Sequence, residues 1–451
     1  MKKEQKLLIL IFIFAFLIRL AFVFSSPVKW WDETVYANLG YDLSRGLNYS
    51  FDHGWSDFSQ DWPKAGFRAP LLPIFLALLY FMKLQALAEF FIPFIGALSV
   101  ILIYYLGNKL FNKQIGLYSA LFLALIPLHV YYSAKILTDV FSTFFIILTF
   151  LAFWIGYEED NKKYKILFGV FLALSILSRY TALWIIIIFL IYFLIKDRSF
   201  IFLKDRYLWY SVIAFFLVLA PWLIYGIQAY SNPIGPFLHG FKASSYWGGS
   251  QPWYFFFQYS WQMLSTILIL FVFSIMYLLY KKDFKRKEIY FLFIGIIFLF
   301  GMAILMPHKE DRYILPIIPF ICLLCGFFIS KIRRYQNLII LLIVVTLIFS
   351  LYSGFKLDYS KSYTADNLCF IEANKFIKSV SYNTLIITDD SPIVYYYTRK
   401  ETHFYPKPLT IESVKNLAIL YDKKVYLLSN LNFGFEQAFN CKNRTILYQV
   451  N

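Results

Sequence analysis

Long, almost uninterrupted apolar runs recur through this sequence, and they limit what it can fold into more than any other feature. Residues 7–24, 90–107, 114–131, 136–156, 208–230, 260–280, 288–306, 313–330 and 337–355 are each 18 to 23 residues long. A helix rising about 1.5 Å per residue needs such a length to cross a hydrocarbon layer about 30 Å thick. Residues 164–195 are too long for one crossing and tight for two, so they read as a short helical hairpin with its tip at Arg179. Of 451 residues, 60% are hydrophobic and only 16% charged, with a mean hydropathy of +0.59. Soluble domains run nearer ~25% charged and cannot hide so much apolar surface. The chain has to face lipid.

The net charge of +16 does not point to nucleic acid, because the basic residues punctuate the apolar runs instead of forming one face or tail. Sorting the connecting segments alternately gives 20 Lys and Arg on one side and 10 on the other, although the poorer segments are longer. The richer side is cytoplasmic by the positive-inside rule. Eleven spans follow, with the N-terminus inside and the C-terminal region outside. The run Pro70–Leu84 is apolar enough to cross, yet counting it would reverse every later loop. It is placed as an interfacial or re-entrant helix outside, and the range is 11 to 13 spans. The opening MKKEQKLLILIFIFAFLIRLAFVF has the layout of a signal peptide without a small-residue cleavage site, so it reads as a retained first helix. Arg19 within it is expected to snorkel toward the outer interface.

The resulting fold class is an all-α polytopic membrane protein with a small C-terminal α/β domain. Residues 1–356 form the membrane domain, including a first outer loop at 25–89, and residues 357–451 form the extracytoplasmic domain. In that domain Thr384–Thr388, Val425–Leu428 and Thr445–Val450 read as strands, and Asn367–Val380 and Ile411–Leu420 as helices. Cys369 and Cys441 can pair in an oxidising compartment. Cys322 and Cys325 lie inside an apolar span and read as packing residues. Five scattered histidines show no zinc-ligand spacing, and no glycine-rich phosphate loop is present. No cofactor is expected, although Asp32 or Glu33 can recruit a divalent metal. The sequons at Asn48 and Asn443 fall outside on this topology.

The charges that enter spans are more telling, because they are costly there and usually face a cavity. Asp32, Glu33 and Tyr36 in WWDETVY share the first turns of a helix, where Asp32 also suits an N-cap and Glu33 the positive end of the helix dipole. Lys135 and Asp139 in SAKILTD are four apart and would share one helical face at the outer mouth of a span. Arg179 stands at the hairpin tip. Lys309 and Arg312 lie in HKEDRYILPIIP, where Pro307, Pro316 and Pro319 break the helix and expose backbone. All of these fall on the outer side under one charge count. Carboxylates beside a cationic patch of Lys135, Arg179, Lys309 and Arg312 suit an anionic lipid head group and a hydroxyl acceptor. The carboxylate removes the acceptor's proton and the cations stabilise charge on a phosphate leaving group. Tyr246, Trp247, Trp253 and Tyr254 are assigned to the membrane-interface belt.

The ordered set of motifs from Arg19 through WWDETVY, FRAPLLP, SAKILTD and SRYTAL to HKEDRYILPIIP resembles the GT-C superfamily of polytopic glycosyltransferases. That superfamily includes the dolichyl-phosphate-mannose-protein mannosyltransferases and the lipid A aminoarabinose transferase. The resemblance covers most of residues 1–330. It implies Asp32 as catalytic base with Glu33 supporting it, and Asp139 with Lys135 at the second acidic position. It also implies that Arg179, Lys309 and Arg312 hold the donor phosphate, and that Tyr36, Arg68, His308 and Tyr313 touch substrate. The donor would be a polyprenyl-phosphate sugar, dolichyl or undecaprenyl, with inversion at the anomeric carbon. Lys135 stands where an arginine is usual in the mannosyltransferases, and no inserted sugar-binding module is visible. HKEDRY is also similar to mannosyltransferases that build lipid-linked glycans, which keeps glycan, lipid and protein hydroxyls open as acceptors. The competing function class, a transporter or flippase of an anionic lipid-linked substrate, would place charges on broken helices near the bilayer midplane. The charges here cluster at outer helix ends.

Overall fold

Hydrocarbon offers backbone N–H and C=O groups no water, so an apolar run satisfies them internally as helix. The computed structural model describes residues 3–51, 54, 64–246, 249–332, 334–381, 383–405, 410–421, 423–429, 435–442 and 444–450. Trp247 and Asn443 lie outside the described residues, whereas Asn48 is exposed. The helices of the first half are α1 (Lys3–Val23), α2 (Trp31–Ser44), α3 (Leu71–Phe81), α4 (Gln85–Leu110), α5 (Lys113–Leu125), α6 (Pro127–Ser133), α7 (Thr138–Phe153), α8 (Lys162–Ser178), α9 (Ile185–Asp197) and α10 (Arg206–Tyr230). After them come α11 (Gly235–Tyr246), the short α12 (Phe255–Gln258) and α13 (Ser260–Leu264), α14 (Thr266–Lys281), α15 (Lys287–Leu305), α16 (Ile318–Lys331) and α17 (Gln336–Ser362).

Among the described residues eight helices are long and apolar enough to cross a membrane, or nine if the bent pair α5 and α6 is one span. The two further spans of the sequence reading correspond to α8 and α14, which are 17 and 16 residues long. Pro127 explains the bent pair: it has no N–H to donate and its ring clashes with the preceding turn, so the chain turns by 62° there. Ser265, held at φ 52°, separates α13 from α14. The Pro70–Leu84 run becomes the 11-residue α3, roughly 16 Å long and too short to cross. The hairpin breaks where expected, with Arg179 extended between α8 and a 3-10 turn at Tyr180–Trp184 that leads into α9.

The chain divides into two compact units. One comprises Met1–Val23, Phe67–Leu72 and Glu89–Phe355. Its core is aromatic, with Phe150 packed 4.6 Å from Phe320 and 5.1 Å from Phe291 between ring centres. A Cβ on Gly169 would stand 2.0 Å from the Ser211 carbonyl oxygen, so glycine alone lets α8 and α10 approach at that point. Cys322 and Cys325 are buried free thiols in α16. Arg19 departs from expectation. It does not snorkel but is fully buried, and its guanidinium donates to the carbonyls of Leu123 and Ala124 at 3.3 Å each, to Ser133 Oγ at 3.2 Å and to His129 Nδ1 at 2.8 Å. The Pro127 break leaves those last carbonyls of α5 without intrahelical donors, and the nearest cation caps them.

The other unit comprises Phe24–Gly66, Pro73–Ala88 and Lys356–Asn451. Its C-terminal part holds α18 (Ala365–Ser379), β1 (Thr384–Ile387), α19 (Ser391–Thr398), β2 (Glu401–His403), α20 (Ile411–Tyr421), β3 (Lys424–Ser429), β4 (Glu436–Cys441) and β5 (Thr445–Val450). The sheet order is β2-β1-β3-β5-β4, parallel across β2, β1 and β3 and antiparallel beyond. Both faces are covered: Leu385, Ile387 and Leu427 pack with Val414 of α20, and Ile386, Tyr426 and Leu428 with Ala373, Ile377 and Val394 of α18 and α19. This explains why β1 is buried at every position instead of at alternate ones. The disulfide Cys369–Cys441 ties α18 to β4 across a Cα separation of 5.4 Å.

Within the same unit α2 is fastened to α19. Tyr395 Oη donates to Asp42 at 2.9 Å, Asn38 donates to the Pro392 carbonyl at 2.8 Å, and Arg399 donates to Asn38 at 2.9 Å. The Arg399 guanidinium also lies 3.9 Å from the centre of the Tyr41 ring. Trp31 stacks on Phe404 with ring centres 5.5 Å apart. The helix that carries WWDE is thus held by the C-terminal sheet domain.

Two outcomes follow. Arg19→Met strips the cap from α5 and is expected to cost at least about 2–3 kcal/mol, seen as a lower unfolding midpoint in detergent, with Arg19→Lys falling between. Burial, reinforced by the Asp389 carboxylate, pushes the Asp390 carboxyl from 3.8 up to about 6. Folding therefore favours its protonated form, the penalty is absent below pH 4 and complete above pH 6, and stability declines across that window. Asp390→Asn is expected to stabilise the protein above pH 6 by about 1–3 kcal/mol and to change nothing near pH 4, as read from unfolding midpoints.

Candidate active site

Three helix ends meet in the first unit. The chain leaves α6 at Ala134, runs extended at Leu137 and re-enters helix at Thr138, which puts Asp139 in the first turn of α7 where the helix dipole favours a carboxylate. Arg179 terminates α8. Arg312 belongs to the 3-10 turn Asp311–Ile317 that precedes α16. Asp139, only 2% exposed, accepts a hydrogen bond from Arg179 Nη1 at 2.5 Å, and Arg312 Nη1 stands 3.8 Å from its other oxygen. A lone buried carboxylate would be costly, and two guanidiniums compensate it.

A network extends outward from this pair. Arg312 meets Glu310 along one edge: Nη2 donates to Oε1 at 2.8 Å, and Nε stands 2.8 Å from Oε2 as an ion pair outside hydrogen-bond geometry. Tyr313 donates to Glu310 at 3.4 Å while its ring lies 5.2 Å from the Arg179 guanidinium. Tyr132 Oη donates to Asp311 at 2.5 Å. Beside the charges opens a pocket with about 540 Å³ of empty space. Asp139, Arg179, Arg312 and Tyr313 line its polar side, and Ile146, Leu299, Met302, Ala303 and Met306 its apolar side. Positive groups over an apolar wall can take an anion attached to a hydrocarbon tail.

Arg179, Asp139, Arg312 and Tyr313 are thus gathered as the sequence suggested. Lys135 and Asp139 do not share a helical face, because the non-helical stretch at Ala134–Leu137 separates them, and Lys135 is buried with its ammonium 5.2 Å from the Tyr131 ring centre. Lys309 is buried too, and its ammonium donates to the carbonyls of Gln251 and Met306 at 3.0 and 2.7 Å. That charge holds a loop together. His308 lies 3.1 Å from Glu310. Arg68 is half-buried and follows the buried Phe67, whose ring lies 6.4 Å from His239.

Asp32, Glu33 and Tyr36 lie on α2 in the other unit. The N-cap is Trp30, not Asp32, and its indole accepts no bond from the helix; Glu33, 1% exposed, accepts the Trp30 N–H at 2.9 Å, the returning half of a capping box. Asp32 is half-buried and Tyr36 buried. Sequence reasoning passed over Glu310, Asp311 and Tyr132. The two acids were visible inside HKEDRY, whereas Tyr132 carries no signal apart from the strand of contacts that folding creates. Among the described residues no three His, Cys, Asp or Glu side chains gather to hold a metal ion.

A model of the Alg9-like mannosyltransferase family matches residues 11–407. No curated protein matches the sequence. Among solved structures, ArnT from Cupriavidus metallidurans bound to undecaprenyl phosphate is similar with a TM-score of 0.77 and 11% identity, over 98% of this chain and 98% of that one. The Archaeoglobus fulgidus oligosaccharyltransferase tethered with an acceptor peptide containing the NVT sequon gives 0.63 at 14% identity, over 95% of this chain and 69% of that one. The archaeal oligosaccharyltransferase AglB from Archaeoglobus fulgidus, in complex with an inhibitory peptide and a dolichol-phosphate, gives 0.62 at 13% identity over 94% and 69%. At these identities the likeness establishes the fold, a polytopic helical membrane domain with a small C-terminal sheet domain.

Proposed function

The chain belongs to the Alg9-like mannosyltransferase family, and from that premise we propose that it moves a sugar from a polyprenyl phosphate to a hydroxyl acceptor on the extracytoplasmic side. The carrying observation is the pairing of Arg179 and Arg312 around Asp139 at the rim of an apolar pocket. A phosphate on a prenyl chain matches that combination: the guanidiniums meet its oxygens and the apolar wall its first isoprene units. The ArnT structure contains undecaprenyl phosphate and the AglB structure dolichol-phosphate, which supports such a carrier here. Sidedness is supported by the excess of basic residues in the alternate loops and by the Cys369–Cys441 disulfide, which persists in oxidising compartments.

The chemistry assigned to the residues balances. Asp32 takes the proton of the acceptor hydroxyl as its oxygen attacks the anomeric carbon. The bond from that carbon to the phosphate oxygen breaks on the opposite face, so configuration inverts, and the polyprenyl phosphate leaves with its added charge on Arg179 and Arg312. Glu33, held by the Trp30 N–H, fixes the start of α2 and so the direction of Asp32. Asp139 keeps the guanidiniums in place between turnovers, Lys135 adds its charge on the donor's side, and Tyr36, Arg68 and Tyr313 complete the surroundings of sugar and acceptor. Asp32→Asn is expected to leave the unfolding midpoint within about 1 °C and to lower sugar transfer by at least ~10³-fold, assayed as release of polyprenyl phosphate from a labelled polyprenyl-phosphate mannose. Transfer at the native rate would remove Asp32 from the reaction.

A further inference from the structure

Gln251, which belongs to no motif, makes four hydrogen-bonded contacts to the loop that carries Arg312. Its backbone N–H donates to the Pro307 carbonyl at 3.0 Å, and its own carbonyl accepts from Lys309 Nζ at 3.0 Å. Its side-chain Oε1 accepts the Lys309 backbone N–H at 2.6 Å, and its Nε2 lies 3.4 Å from His308 Nδ1. The other nitrogen of His308 stands 3.1 Å from Glu310 Oε1, and Glu310 grips the Nε and Nη2 edge of Arg312. That grip leaves Nη1 as the edge toward Asp139. Arg312 lines the pocket, whereas Glu310, His308 and Gln251 do not.

We propose that Gln251, His308 and Glu310 form a strut behind Arg312 that sets which edge of its guanidinium faces the pocket, and that the segment before α12 thereby controls affinity for the donor's phosphate. Gln251 and Glu310 are positioning residues in this scheme. A long arginine side chain has several rotamers, and a carboxylate along its rear edge selects one of them. His308 restrains Glu310, and Gln251 restrains both His308 and the backbone of Lys309. The inference rests on reading Arg312 as a ligand of the donor phosphate.

The test measures binding of undecaprenyl phosphate and dolichyl phosphate to the purified full-length protein in detergent, alongside donor KM and kcat. Gln251→Leu keeps the size of the side chain and removes both polar atoms. It is expected to weaken binding and raise donor KM by roughly 10-fold, the scale of one charge-assisted hydrogen bond, with a smaller fall in kcat. Gln251→Glu retains an acceptor for the Lys309 N–H and is expected to recover most of the affinity. Glu310→Gln is expected to weaken binding at least as much as Gln251→Leu, which keeps the test open if the leucine variant folds poorly. Native affinity in both Gln251→Leu and Glu310→Gln would overturn the strut while leaving the donor reading intact. No binding of either lipid phosphate to the wild-type protein would overturn the donor reading and the strut with it. A lower unfolding midpoint with unchanged KM would show Gln251 to be structural only, and that too contradicts the proposal.

Discussion

A carboxylate that is 2% exposed inside a membrane protein cannot stand alone, and the architecture around Asp139 follows from that constraint. The penalty for burying an unpaired charge is several kcal/mol, so the start of α7 is stable only where cations reach it. Arg179 comes from the end of α8 and Arg312 from the turn before α16. Three chain segments separated by 40 to 173 residues are therefore drawn to one point. The same arrangement holds more positive charge than one carboxylate neutralises locally, and the Glu310 carboxylate takes up part of it from behind. A phosphate entering the pocket in the proposed reaction would meet guanidiniums already fixed in place, which is how a site lowers the reorganisation needed during reaction.

Each of these ends exists because a helix stops short of where hydrophobicity alone would carry it. Pro127 halts α5, Arg179 divides the hairpin, and Pro316 lies in the 3-10 turn before α16, whose first turn begins with Pro319. Every such stop exposes carbonyl oxygens that hydrocarbon cannot satisfy. Arg19 answers this for α5 and the Lys309 ammonium for Met306 and Gln251. Arg19 and Lys309 thus hold broken backbone, whereas Arg179 and Arg312 face the pocket. Residue type does not distinguish the two groups; their partners do.

Much of this was readable in advance. Hydropathy placed nearly every long helix, the uncompensated charge of Arg179 marked the hairpin tip, and the order of motifs pointed to the GT-C fold. What stayed hidden depends on contacts between residues far apart in sequence. Arg19 lies more than 100 residues from the carbonyls it caps, so only its position in an apolar run was visible, and that suggested snorkelling. Lys135 and Asp139 have helical spacing, but the extended backbone at Leu137 cannot be seen in spacing alone. In the C-terminal domain β1, β3 and β5 were legible as apolar strands. β2 is three residues long, β4 is a polar edge strand with a bulge between Gln437 and Phe439, and α19 has only eight residues, so each lacked enough periodicity to announce itself.

The account is tested most directly by an electron-cryomicroscopy structure of the protein with a polyprenyl phosphate bound. It predicts phosphate oxygens about 3 Å from the guanidinium nitrogens of both Arg179 and Arg312, with the prenyl chain along Leu299, Met302 and Met306. A phosphate held elsewhere, with Asp139 still locked between the same two arginines, would contradict it.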